Sequence, residues 1–377
     1  MDAIGLYIHV PFCRARCSYC DFNSYAGLED LFDDYTAALV QEMQQAGPAR
    51  VRTIYIGGGT PTVLPLLHLA QILDASRRAF AVDRDAEVSL EANPGAVDAA
   101  ALAALRALGI NRLSLGVQSL DDAGLRLLGR IHTAAEAIQA CQAARQAGFA
   151  NLNLDLIYGL PGQTSAAWQA TLERALALQP DHLSLYALGV EEGTPLAAAI
   201  AQGDLPAPDP DLAAEMYEWA EDRLSVAGYL HYEISNWARG PGCRCRHNVT
   251  YWRNEPYLGV GAGAHSWLGG RRWANVAHPA EYRARLLGGG CPVAAEEEID
   301  PALEVGETMM MGLRLLDEGV PFERFRERFG EDLRQRFAEE LEELEELGLI
   351  ILDGERVKLS RRGHLLGNQV FLRFLPE

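Results

Sequence analysis

The segment Tyr7–Phe22 reads YIHVPFCRARCSYCDF and sets three thiols, Cys13, Cys17 and Cys20, within eight residues. Thiolates are soft ligands that suit iron–sulfur clusters or zinc. Structural zinc normally takes four ligands in paired spacings. Here the local count is three, in a CxxxCxxC pattern that is far more specific than a lone CxxC. A cubane held by three cysteines keeps one iron open, and an open iron accepts a small chelating ligand. We therefore read the trio as ligands of an iron–sulfur cluster. The competing readings are zinc with a remote fourth ligand, and cysteines that only pack.

The remaining composition agrees with metal chemistry in a reducing compartment. Seven cysteines is an odd number, and Asp2 stands where an export signal has its basic start, so no disulfide framework is expected. Cys141 reads as core, while Cys243 and Cys291 read as incidental. No run of about 18 apolar residues occurs, so no membrane span is expected and the location is read as cytoplasmic. A net charge of −19 repels phosphate backbones, which argues against a nucleic-acid partner. Lys358 is the sole lysine, and no Gly-Lys pair exists for a phosphate loop. GVGAGAHS, Gly259–Ser266, lacks the strand–helix context of a dinucleotide loop.

The elements that must hold the trio come from an alternation in the first half of the chain. Strands are predicted at Leu6–Val10, Thr53–Gly57, Glu87–Glu91, Arg112–Gly116, Asn151–Asp155 and His182–Tyr186. Ala- and Leu-rich helical stretches lie between them, such as Asp34–Gln45, Ala99–Leu108 and Ala134–Ala147. This implies an α/β fold, a partial (β/α)6 TIM-like barrel with a parallel sheet. The cysteines then sit on the loop after the first strand, at the end where such barrels carry function. The Pro-rich stretch Gly203–Asp211 leads into an amphipathic helix with Leu212, Met216, Trp219 and Leu224 at helical spacing. Residues from about Gly228 to Pro279, rich in Gly, aromatics and His, do not read as simple barrel. Beyond Asp300, helices are predicted over Glu304–Leu316, with Met309–Met311 as core filler, and over Asp332–Leu347, with Leu341, Leu344 and Leu347 inward. A hairpin of Leu349–Leu352 and Arg356–Leu359 completes a small helical, winged-helix-like domain. Its acidic charge argues for packing or a partner rather than DNA.

CxxxCxxC on a first βα loop resembles the radical S-adenosylmethionine (SAM) superfamily, and the surroundings extend the likeness. The second predicted strand ends in GGGTPT, Gly57–Thr62, where Gly58, Gly59 and Thr60 would let the backbone approach a ligand and leave amides free to donate. In that family this motif helps hold the amino group of the cofactor's methionine. Alone, a triple glycine is only a tight turn. Glu91 in LEANPG, Gln118 in LGVQSL, Arg130 in LGRIH and Asp155 in LDLIYGLPGQT match further cofactor-binding positions, and Tyr7 matches a tyrosine beside the cofactor. Singly, each carboxylate reads as a helix cap or loop salt bridge. Together they recur at one end of successive strands. The resemblance implies a [4Fe–4S] cluster, bound S-adenosyl-L-methionine and reductive cleavage of its carbon–sulfur bond.

YIHVPFC, EANPG, VQS and YGLPGQT together resemble the coproporphyrinogen-oxidase-like branch over almost the whole chain. That branch holds an oxygen-independent coproporphyrinogen III oxidase, which decarboxylates propionates, and heme chaperones. Three features favour the chaperones. Phe22 stands where the oxidase carries another cysteine, only six residues precede Tyr7 where the oxidase has a long arm, and His247, Asn248, Tyr251 and Trp252 form the chaperones' HNxxYW motif. Imidazole ligates heme iron and aromatic rings pack on the macrocycle, so this motif is the expected heme contact, with Cys245 and His265 as further candidates. The bland alternative is a satisfied core histidine beside a packed Tyr–Trp pair. The expected domains are the radical SAM barrel with its trailing helix over 1–240, the heme-motif segment over 241–299 and the C-terminal domain over 300–377. The expected function is to bind heme and pass it to an acceptor protein, in the resembling group a respiratory one, with peripheral contact to membrane proteins. The oligomeric expectation is monomer or homodimer, and oxidase turnover is not expected.

Overall fold

Each predicted apolar run pairs as a strand in the computed structural model, which describes residues 3–376; Asp2 lies outside them. The strands are Ile4–Val10, Arg50–Gly58, Ala81–Ala92, Arg112–Gln118, Leu152–Tyr158 and His182–Ala187. Each runs parallel to the next, in the register Leu6↔Ile54, Ile54↔Val88, Leu90↔Leu113, Leu113↔Leu152 and Leu154↔Leu183. These apolar side chains are buried in the main core beneath the crossover helices. The alternate positions of the later strands carry Ser114, Asn153, Asp155 and Ser184, which line a cavity inside the barrel.

The helices start where local chemistry starts them. Thr133 and Glu136 close a reciprocal capping box ahead of Ala134–Gln146. Asp209 accepts from two amides ahead of Pro210–Val226, and Pro210 holds the first position, where no amide is needed.

The barrel stays open. The free edge of the first strand pairs in parallel with Tyr257–Val260, and His265–Leu268, Arg271–Asn275 and Val293–Glu298 follow antiparallel. The sixth strand pairs antiparallel with Asn236–Ala238, and that with Leu230–Glu233. One twelve-stranded sheet results. The stretch after Gly228 that did not read as barrel therefore supplies strands to both flanks. The last strand, Val293–Glu298, is exposed along almost its whole length and ends in three glutamates.

A buried carboxylate ties one flank to the barrel. Glu42, on the helix Phe32–Gln45, accepts from Gly261 N (2.8 Å), Asn275 Nδ2 (2.6 Å) and the Tyr282 hydroxyl. Burial pushes its carboxyl up to about 7 despite these donors.

The C-terminal unit has a separate core that includes Val305, Met309, Phe325, Leu341, Leu344, Val357 and Phe371. Its helices pack on a small antiparallel sheet of Val320–Pro321, Arg356–Leu359 and Ile350–Leu352. The charged helix expected over Asp332–Leu347 is broken at Phe337 into Leu333–Arg336 and Ala338–Glu346. Phe337 turns its ring against Phe374, 5.1 Å between centroids, and that packing outweighs helical continuity. Leu341 and Leu344 are buried, but Leu347 is 47% exposed. Two three-residue steps carry it about 120° round the helix from Leu341.

Glu42→Ala would strand three buried donors at once. It is expected to cost about 2–4 kcal/mol in urea-unfolding stability, with the largest loss of amide protection around Gly261 and Asn275.

Candidate functional site

The three thiols sit on the loop that leaves the first strand. Phe12–Cys13 pairs with Tyr25–Ala26, so the loop closes on itself. Its crown is pinned by the backbone bond from Ser18 N to Leu128 O (3.1 Å) and by Ser18 Oγ to Leu127 O (2.8 Å). All three cysteines are free and half-buried. They line one cavity of about 530 Å³ at the mouth of the barrel, within the usual range for a cofactor site. Burial raises the Cys13 thiol above its ordinary value, and Thr60 Oγ1 lies 3.6 Å from its sulfur. Arg130 donates to Cys17 Sγ (3.3 Å) and to Gly116 O (2.7 Å).

The same cavity is lined by Gly58, Gly59, Thr60, Glu91, Gln118, Arg130 and Asp155. Glu91 accepts from the Tyr55 hydroxyl (2.6 Å) and from Gly58 N (3.1 Å), and burial pushes its carboxyl up to about 7. Burial also raises Asp155, which accepts from Ser114 Oγ and Asn153 Nδ2, each at 2.8 Å. Gln118 ends the fourth strand at φ 64°, a left-handed conformation that costs a non-glycine residue about 1 kcal/mol. Arg112 Nε and Arg130 Nε are buried with no protein partner. The set therefore suits an anionic or hydroxyl-rich group beside a three-thiolate cluster. Tyr7 is the exception: its hydroxyl bonds His9 Nδ1 (2.9 Å) and it does not line the cavity.

The glycine turn differs from expectation. Its amides are not free: Gly58 N is held by Glu91, Gly59 N by Val10 O (2.9 Å) and Thr60 N by Phe12 O (2.8 Å). A Cβ on Gly59 would meet Phe12 O at 2.6 Å. The turn thus clamps the root of the cysteine loop, and only its carbonyls and the Thr60 hydroxyl are left for an ammonium group.

The second motif lies deeper. His247 is buried near the start of the helix Arg246–Trp252. Its Nδ1 bonds Thr53 Oγ1 (2.9 Å), its Nε2 bonds Tyr251 Oη (2.8 Å), and burial drops it to about 3, so the ring is neutral. Glu87 accepts from Arg246 N and His247 N, each at 3.1 Å, against the positive end of that helix. Cys245 is also buried, and burial pushes its thiol up to about 12. Trp252 faces the C-terminal unit, where Arg314 lies 5.1 Å over its ring. Only Asn248 of this motif lines the cavity with the cysteines. Cys141 is core, His265 is exposed on a flank strand and Phe22 is 64% exposed at the rim.

Several lining residues escaped the sequence reading: Tyr55, Arg112, Ser114, Asn153 and Ser184. Three of them did leave a signal. RLSLG, NLNLD and HLSLY repeat one polar residue between leucines on successive strands. Asn153 Nδ2 joins them, reaching Ser114 Oγ (2.7 Å) and Ser184 Oγ (3.0 Å).

Residues 7–175 match the family model for the radical SAM superfamily, and residues 300–366 match that for the HemN C-terminal domain. The chain is 40% identical over 376 residues to the heme chaperone HemW of Bacillus subtilis, covering 98% of this chain and 99% of that protein. It is 41% identical over 373 residues to the heme chaperone HemW of Mycobacterium tuberculosis, covering 97% and 93%. Among solved structures it resembles coproporphyrinogen III oxidase (HemN) from Escherichia coli, with a TM-score of 0.85, 26% identity, and coverage of 99% of this chain and 90% of that one.

Two outcomes are expected from this geometry. Gly59→Ala should push the cysteine loop off the second strand and lower the iron bound per chain after anaerobic reconstitution at least ~3-fold, read by metal analysis. The raised Glu91 carboxyl favours the protonated form in the fold. Its contribution to stability is therefore full below about pH 4.5 and is lost as pH rises to about 7. The melting temperature of Glu91→Gln relative to wild type should climb across that window in melts of the cofactor-free chain.

Proposed function

Because this chain belongs to the heme chaperone HemW family of the radical SAM superfamily, we propose that it binds heme, carries a [4Fe–4S] cluster on Cys13, Cys17 and Cys20 with exchangeable S-adenosylmethionine beside it, and hands heme to an acceptor protein. One observation carries the reading: the three thiols share a single cavity wall with Gly58, Gly59, Thr60, Glu91, Gln118, Arg130 and Asp155. With three protein thiolates the cluster keeps one iron open to a chelating amino acid and supplies a single electron for reductive cleavage of a sulfonium.

The remaining chemistry belongs to the chain. Arg130 compensates charge at Cys17 and ties the loop to Gly116. Near neutral pH Glu91 gives up its proton readily and accepts from an ammonium or hydroxyl group. Arg112 and Arg130 line the cavity and bring positive charge to an anionic group of the bound cofactor. Phe22 leaves an exposed apolar ring at the rim, where the resembling oxidase carries a cysteine. That substitution favours a carrier over an oxidase.

Heme contact runs through the helix Arg246–Trp252, with Asn248 on the cavity side. Both ring nitrogens of His247 are engaged, so ligation of iron by His247 requires its ring to give up Thr53 or Tyr251, a local movement of this helix or its side chains. Heme uptake is then coupled to that movement. The acceptor is a respiratory protein met at a membrane surface; among the described residues no helix is long and apolar enough to cross one.

The test uses anaerobically reconstituted chain titrated with heme. His247→Ala is expected to weaken heme binding ~10-fold or more, about 1.4 kcal/mol, while the cluster's visible absorbance stays unchanged. Unaltered heme affinity would remove the motif from the site. Anaerobic turnover of coproporphyrinogen III to protoporphyrinogen would overturn the carrier reading in favour of the oxidase.

A further inference from the structure

A second set of ligand atoms converges far from the cysteines in sequence, where the C-terminal unit meets the barrel. Glu221 lies on the helix Pro210–Val226, His231 on the flank strand Leu230–Glu233, and His364 on the short helix Arg361–Leu365. Among the described residues, this trio brings one ligand atom from each side chain within 4.8 Å of the others. His231 Nδ1 lies 3.0 Å and His364 Nδ1 2.7 Å from the same oxygen, Glu221 Oε1. All three side chains are largely covered, with side-chain exposures of 9% for Glu221, 15% for His231 and 13% for His364.

The environment of His231 decides what belongs between these atoms. Its ring stacks on Trp237, 4.0 Å between centroids and 10° between planes, so its orientation is fixed. Its Nε2 lies 3.2 Å from Ile234 O. A carbonyl only accepts, so Nε2 carries the hydrogen. In the neutral ring Nδ1 is then a bare lone pair facing a carboxylate, a repulsive contact unless a cation lies between them. The cation is either a proton, making imidazolium, or a metal ion.

We infer that Glu221, His231 and His364 form a binding site for a divalent transition-metal ion of the zinc type, which clasps the C-terminal unit to the barrel. Two imidazoles and one carboxylate are the donor set of three-ligand zinc sites, which leave a fourth position for water. Nitrogen donors disfavour calcium and magnesium. Metal–ligand bonds of about 2.0–2.2 Å set ligand atoms about 3.3 Å apart, so the two Nδ1–Oε1 spacings of 3.0 and 2.7 Å would open by about 0.3 and 0.6 Å. The bond from His231 Nε2 to Ile234 O is the outer support that metal-bound histidines commonly have. The cation already nearby, Arg361, reaches the other oxygen, Glu221 Oε2, at 3.4 Å; its side chain is 58% exposed and it also pairs with Asp222, so it is free to swing outward.

The test uses untagged, cluster-reconstituted full chain equilibrated with buffered zinc, followed by metal analysis. Wild type is expected to hold a single zinc per chain beyond its iron. His364→Ala and Glu221→Gln should each weaken that zinc at least ~10-fold and leave the iron unchanged, and zinc should raise the melting temperature of wild type only. Cobalt in place of zinc should quench tryptophan emission through Trp237 in wild type and not in the variants. Glu221→Gln keeps a hydrogen-bonding group against both imidazoles, so it decides the matter if His364→Ala fails to fold. Equal zinc content and equal melting shifts in wild type and Glu221→Gln would overturn the site and leave a carboxylate–imidazolium pair. Because iron is read on the same samples, failure of the cluster assignment and failure of this site are distinguishable.

Discussion

Everything at the mouth of the barrel hangs on two backbone hydrogen bonds. Gly59 N to Val10 O and Thr60 N to Phe12 O continue the pairing of the first two strands past their ends. They fix the residue just before Cys13, and therefore the point from which the cysteine loop springs. A side chain at Gly59 cannot coexist with them, because its Cβ would meet Phe12 O at 2.6 Å. The glycine run thus earns its composition through protein packing against a neighbouring loop, and any ligand contact comes second. A metal-binding loop without a rigid root would lose the alignment of its three sulfurs to chain entropy.

The barrel interior below that mouth is polar by design of its strands. Leucines face the helices, and Ser114, Asn153, Asp155 and Ser184 face inward in mutual hydrogen bonding. Such a network is costly unless nearly complete. Arg112 and Arg130 line the same cavity, each with a buried Nε that has no protein partner, beside the strained backbone of Gln118. Left-handed backbone of this kind is found where the surrounding structure over-determines it, and such places cluster at ligand sites.

Much of this was legible in the residues. The six strands show as β-rich runs at regular intervals because helices cover one face and packed side chains the other. CxxxCxxC carries its chemistry in its spacing. What stayed hidden depends on contacts remote in sequence. Nothing in HNVTYW says that His247 turns both nitrogens to Thr53 and Tyr251, because Thr53 lies 194 residues away. The open barrel was also illegible at its edges: the flanking strands from Gly228 onward are short and interrupted by turns, so period-two alternation has little room to show. The break at Phe337 follows from a ring contact with Phe374, which no local propensity encodes. The polar–leucine repeat across three strands was readable, but only once those strands were known to be neighbours.

An open sheet must end somewhere, and its last strand leaves backbone donors and acceptors exposed to any other strand that passes. Here that margin is Val293–Glu298, closed by Glu296, Glu297 and Glu298. Arg271 pairs with Glu296, and Arg272 lies 4.0 Å from Glu297, so this margin is a ladder of mixed charge along an exposed edge. Charged side chains on an exposed edge make lateral addition of another strand unfavourable, because those charges would lose water on pairing.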